Sequence, residues 1–170
     1  IAAVKTPLLV SALVKAGAEV RCLVTPSAAK LVSPLALASL SRHRCYTEDC
    51  GWDASCSRPL HIELAEWAEL VLLAPLSATS LSRWSQGSAD GLLASVLLAC
   101  ECPVLAAIAM NTAMWSHPAV QRNWQVVQTF PGVVPLMPQP GLLACDRLGD
   151  GRMADPMLIE LAASSLFSRG

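Results

Sequence analysis

Charge is scarce in this chain. Asp, Glu, Lys and Arg make up 15% of it, against about 25% in an average soluble domain. Basic runs are absent and the formal net charge is -1, so no nucleic acid partner is expected, because neutralising phosphates takes clustered Lys and Arg. Long hydrophobic runs are missing as well. The longest stretch, 91–110, is broken by Glu101 and Pro103, and neither half reaches the ~20 apolar residues of a bilayer span. It predicts a buried helix, a turn and a buried strand, with no membrane partner. Paired CxxC spacing is lacking among the seven cysteines, which suggests no zinc site, and an odd count does not suit a disulfide framework. A reducing cytoplasm is the expected compartment. The start shows no charged n-region, apolar h-region and cleavage site. It opens at Ile1, without methionine and directly in helical sequence, so an upstream segment is expected.

Apolar residues, by contrast, make up 54%. With so little charge, this predicts a parallel sheet buried on both faces, or subunit interfaces covering part of the outside. A length of 170 residues suits one α/β domain, 1–170, with a single core.

Periodicity supports that class. Helical spacing runs over 4–16 and stops at Gly17; 19–24 reads as a strand; 28–40 continues as helix interrupted by Pro34. The polar segment 41–59 reads as a long loop. Helix is expected at 60–67, a buried strand at 69–74, helix from Leu81 to Gly87 and again over 90–100, and a buried strand at 104–109. A turn at 111–115, a helix at 118–128, a strand at 133–137, a Pro- and Gly-rich loop at 138–153 and a closing helix at 156–167 complete the series. Strands alternating with helices predict a doubly wound parallel sheet. Such sheets bind ligands beyond the C-terminal ends of their strands, where Thr25 and Ser27, 75–80, 110–115 and the loop around Cys145 fall.

Ser77, Ala78, Thr79 and Ser80 open a helix, where unpaired N–H groups and the positive end of the dipole attract an anion or a polarised carbonyl; the same residues also suit a plain N-cap. His61 can take a proton from a thiol near neutrality, or serve as an ordinary solvated histidine. Cys145, with Arg147 and Arg152 near in sequence, can be a reactive thiol or an inert one. Asn111 can donate to a carboxylate or simply form a turn.

The order HIELAEWAELVLLAP, LSATS, GSADGLL, AMNTAMW with PAVQRN, GLLAC and GDGRM resembles the flavoprotein family of cysteine decarboxylases over nearly the whole chain. The resemblance implies a flavodoxin-like (Rossmann-like) fold, FMN as cofactor, and homotrimers or assemblies of trimers. It implies decarboxylation of the small-molecule substrate 4'-phosphopantothenoylcysteine to 4'-phosphopantetheine in coenzyme A biosynthesis. Residue by residue, His61 matches the family's base, Cys145 its final proton donor, and Asn111 the carboxylate holder with Met114 beside it. Thr25, Ser27, Ser77, Ala78, Thr79, Ser80 and Ala109 match positions lining the FMN. Thr79 stands where the family has asparagine, Ile108 where it has proline, and Asp146–Arg147 where it has Gly-Asp. Family members also carry a first strand ahead of the match to Ile1, so an N-terminal truncation is expected. Two other readings share parts of this pattern: a peptidyl-cysteine decarboxylase, which does not need Cys145, and a non-catalytic flavin-binding regulator.

Overall fold

A computed structural model describes residues 1–53, 56–144 and 148–167. The helices begin where the sequence offers caps and prolines. Helix α1 (Thr6–Lys15) has a proline in its first turn and ends before Gly17, which takes φ 95°. Thr25 caps α2 (Pro26–Ala29) by accepting the Ala28 N–H at 3.3 Å, and Ser33 caps α3 (Pro34–Ser41) in the same way. These side-chain oxygens take up N–H groups that a first turn cannot satisfy internally. A short 3-10 segment (Glu48–Trp52) lies inside the expected long loop, and Glu48 reaches from it to the Leu92 amide.

Helix α4 (Leu60–Trp67) leads into strand β1 (Val71–Leu76), α5 (Ala78–Ser85) and α6 (Leu92–Ala99). Strand β2 (Val104–Ile108) is followed by α7 (Thr112–Trp115) and α8 (Pro118–Gln128), then by β3 (Val133–Leu136). The three strands form a parallel sheet in the order β1-β2-β3, with Val71 opposite Val104 and Val104 opposite Val133.

Every residue of β2 is buried, and its alternation divides the core in two. Val104, Ala106 and Ile108 pack with Leu81, Trp84, Leu97 and Trp124, while Leu105 and Ala107 pack on the opposite face with Leu9, Ile159 and Ala163. Each fully buried Leu, Ile or Val contributes about 1.5–3 kcal/mol. The covering of both sheet faces by helices is the doubly wound arrangement that the apolar runs and low charge imply.

Two expectations require correction. Segment 19–24 does not join the sheet as a regular strand. It makes an isolated parallel bridge, Leu23 with Tyr46, through Val24 N–H to Tyr46 O at 2.9 Å and Tyr46 N–H to Cys22 O at 2.8 Å. Between it and β1 lies a cavity of about 470 Å³, with Val20, Cys22 and Val24 on one side and Leu70, Leu72 and Ala74 on the other. Extended backbone without a ladder on its second edge stays irregular, and the Thr6 hydroxyl donates to one β1 carbonyl facing that gap, Ala74 O, at 2.9 Å.

Segment 138–153 is not a plain loop either. Strands β4 (Gln139–Leu142) and β5 (Leu148–Arg152) pair antiparallel despite their prolines and glycines. The hairpin leads to α9 (Pro156–Phe167), which closes the second face of the sheet.

Candidate active site

Of the side chains singled out from the sequence, Thr25, Ser27, Ser77 and Ser80 line one cavity, whereas His61, Ala109, Asn111 and Met114 lie outside that lining. Directly after β1, Ser77 adopts extended backbone and its Oγ accepts the Ser80 N–H at 3.3 Å, so α5 starts at the strand's end. The Ser77 hydroxyl also donates to Ser80 Oγ at 3.3 Å. Thr25, Ser27, Ser77 and Ser80 all line the cavity that runs between 19–24 and β1. A mostly apolar cavity lined by four hydroxyl-bearing residues and two capped helix starts suits a flat apolar group bearing a polar rim or an anion. Ala78 and Thr79 occupy the first turn of α5 outside that lining, and Thr79 is exposed.

After β2, the Ala109 amide bonds Leu76 O at 3.1 Å, tying the ends of the two strands together. The Met110 amide bonds Gly151 O of the hairpin at 2.9 Å. Asn111 then caps α7, with Oδ1 accepting the Ala113 N–H at 2.9 Å. Met114, on the same short helix, is 47% exposed. Beta carbons placed at Gly149 and Gly151 would collide with Thr112 Oγ1 and Met110 O respectively. The hairpin therefore lies tight against the Asn111 turn because these positions lack side chains.

His61 occupies the first turn of α4. Helix α4 packs through Leu60 and Leu64 on Leu92 and Val96 of α6 and runs directly into β1. A helix feeding a strand through so short a turn runs antiparallel to it, which puts its N-terminus, and His61, at the edge where the strands end. Cys145 lies outside the described residues.

Among the described residues the groups whose proton affinities shift are Arg44, raised by its hydrogen bond to Cys50, and several cysteines. Burial pushes the thiols of Cys45 and Cys100 up to about 11. Burial also raises Cys22 and Cys102. For Cys50, burial acts upward but is outweighed by hydrogen bonds from Thr47 and by the Arg44 guanidinium, and its pKa falls.

Two side chains near the site, Thr112 and Gln121, escaped the sequence reading as functional candidates, and Arg152 entered it only as a cation near Cys145 in sequence. Thr112 Oγ1 and Arg152 Nε are buried without hydrogen-bond partners among the described residues. Gln121 Nε2 donates to Trp115 O at 2.6 Å, holding the end of α7. For Gln121 the available signal was its place in PAVQRN, ten residues after Asn111.

A family model described as Flavoprotein matches residues 1–162. The chain belongs to the flavoprotein family. Among curated relatives of this flavoprotein, the coenzyme A biosynthesis bifunctional protein CoaBC of Bacillus subtilis is 41% identical over 168 residues, covering 99% of this chain and 41% of that protein. CoaBC of Escherichia coli is 38% identical over 169 residues, with 99% and 41% covered. The chain thus spans about two fifths of the length of these relatives. Among solved structures, a variant of PPC decarboxylase complexed with pantothenoylaminoethenethiol matches with a TM-score of 0.89 at 33% identity, covering 99% of this chain and 93% of that one. The FMN binding protein AtHal3 matches at 0.88 and 32% identity, with 99% and 92% covered.

Proposed function

We propose that this flavoprotein-family chain binds FMN and decarboxylates 4'-phosphopantothenoylcysteine to 4'-phosphopantetheine. The observation that carries the reading is the end-to-end likeness to PPC decarboxylase, at a TM-score of 0.89 over 99% of this chain. The residues present fit the cofactor: Thr25, Ser27, Ser77 and Ser80 contribute hydroxyl-bearing side chains to a mostly apolar cavity, and Ala109 lies at the adjoining strand end. Ala78 and Thr79 supply backbone at the start of α5, where the helix dipole favours electron-rich groups.

When bound, FMN supplies a reversible two-electron acceptor, so the net reaction is redox-neutral. The bond from the substrate's carbon to its carboxylate breaks, CO2 leaves, and a proton takes its place. His61 accepts the substrate's thiol proton. Asn111 holds the carboxylate; because its Oδ1 is turned to the Ala113 amide, its NH2 end makes that donation. Met114 packs beside the bound chain. Cys145 delivers the last proton to carbon, a role a thiol fills better than a hydroxyl.

Exposed Met137, Leu142 and Leu148 on and beside the hairpin suit burial between copies, which supports self-association, and the trimer is the assembly that the family resemblance implies. Among the described residues no helix is long and apolar enough to cross a membrane, and the reducing cytoplasm is the compartment we assign. The deciding experiment takes the purified protein with its flavin, records the visible absorption spectrum, then incubates it with 4'-phosphopantothenoylcysteine. Bound FMN and a product lighter by one CO2 are expected. An unchanged substrate mass with flavin in place overturns the reaction, and failure to retain added FMN overturns the cofactor.

A further inference from the structure

Helix α7 is a single turn, too short to hold its own shape, since nucleating one turn in isolation is unfavourable. Yet it carries both Asn111, at its N-cap, and Met114. Its internal bonds are Trp115 N–H to Asn111 O at 2.8 Å and Ser116 N–H to Thr112 O at 2.9 Å. The carbonyl of Trp115 lies at the end of this ladder, and Gln121 Nε2 donates to it at 2.6 Å in a partly buried setting. The indole of Trp115 meets that of Trp124 edge to face, with centroids 6.0 Å apart and planes at 71°.

Gln121 and Trp124 are three residues apart, and thus neighbours on one face of α8. That helix is rooted in the core, with Trp124 2% exposed and Val127 fully buried. The rigid helix therefore grips one residue, Trp115, by carbonyl and by ring. Because the Trp115 amide is bonded to the Asn111 carbonyl, tilting α7 at its far end moves Asn111 as well.

We propose that Gln121 is a positioning residue: through the Trp115 carbonyl it sets the tilt of α7 and so the place of Asn111 and Met114 against the substrate. The role rests on the reading of Asn111 as carboxylate holder. Holding a site within a fraction of an ångström is work that a one-turn helix cannot do alone.

The test uses the FMN-loaded enzyme with two variants. Gln121→Met keeps the length and removes the donor. Gln121→Glu faces the Trp115 carbonyl with a second acceptor when ionised, but donates again when protonated. The KM of Gln121→Met for 4'-phosphopantothenoylcysteine should rise roughly tenfold, the scale of one lost hydrogen bond, with kcat changed less and with flavin content and Tm held. The KM of Gln121→Glu, divided by the wild-type value at the same pH, should climb as pH rises from about 5 to 8, because a free glutamate titrates near 4.3 and an opposing carbonyl raises that value. A merely structural role does not produce this pH-dependent ratio. KM ratios near one for both variants in an active enzyme overturn the positioning role alone, as does a loss of kcat accompanied by loss of flavin. An inactive wild type overturns the reading of the reaction and this role with it.

Discussion

His61 keeps its position because Leu60 and Leu64, on either side of it in α4, are buried against Leu92 and Val96. The ring itself is half-buried at the helix start and can be exchanged without opening that packing. His61→Asn should therefore fold, hold its flavin, and lose decarboxylation by about 10²-fold or more, the usual worth of a positioned base. Parallel flavin absorbance and product mass measurements decide it: retained turnover removes His61 from the mechanism, and a colourless protein makes it structural. Cys50 is the other residue with a distinct chemistry. Arg44 Nη2 donates to its sulfur at 3.2 Å and the Thr47 amide at 3.4 Å, favouring the thiolate. Cys45 and Cys100, pushed up to about 11, remain thiols at neutral pH. In timed alkylation followed by peptide mass spectrometry, Cys50 should be modified well before Cys45 and Cys100. Arg44→Leu should slow Cys50 and leave exposed Cys56 unaffected; equal rates at Cys50 and Cys100 would contradict the geometry.

Among the elements, the β4–β5 hairpin is the one whose local sequence argues against it. Pro138, Pro140, Gly141, Gly149 and Gly151 are residues that weaken strands, and segment 138–153 therefore reads as a loop. Their use becomes visible only in contact with the Asn111 turn. Gly151 takes φ 145°, and its missing side chain lets the chain approach the Met110 carbonyl. Gly151→Ala sets a methyl against that backbone, where nothing flexible can give way. The variant should lose about 1–3 kcal/mol of stability, the cost of overpacking, and should release the Met110 amide to solvent. Urea unfolding and hydrogen exchange at Met110 measure the two effects, and unchanged protection there would mean that the hairpin is not what holds this turn. The short 3-10 segment 48–52 was illegible for a related reason: Glu48 is anchored by the Leu92 amide, 44 residues away.

At the scale of the whole molecule, the flavoprotein is a parallel sheet with a helical layer on each face, matching PPC decarboxylase over 99% of the chain. The sequence alone determined the elements whose signals are local. Helices 60–67, 118–128 and 156–167 fall where the apolar period and prolines put them, and β2 is the continuous apolar run that a strand buried on both faces requires. It also determined the edge where Ser77 and Asn111 lie, because a ligand crevice follows from strand direction. Tertiary structure decided the rest. Whether 19–24 became a regular strand depended on a partner for each of its edges, and among the described residues it bridges to Tyr46 alone. Whether glycines made a loop or a hairpin depended on what they approached. The grip of Gln121 on Trp115 joins two helices whose mutual placement neither helix encodes by itself. Caps, prolines and periodicity act within one or two turns of chain and can be read in order. Pairing, close approach and clamping act between segments, so they exist only once the core has brought those segments together.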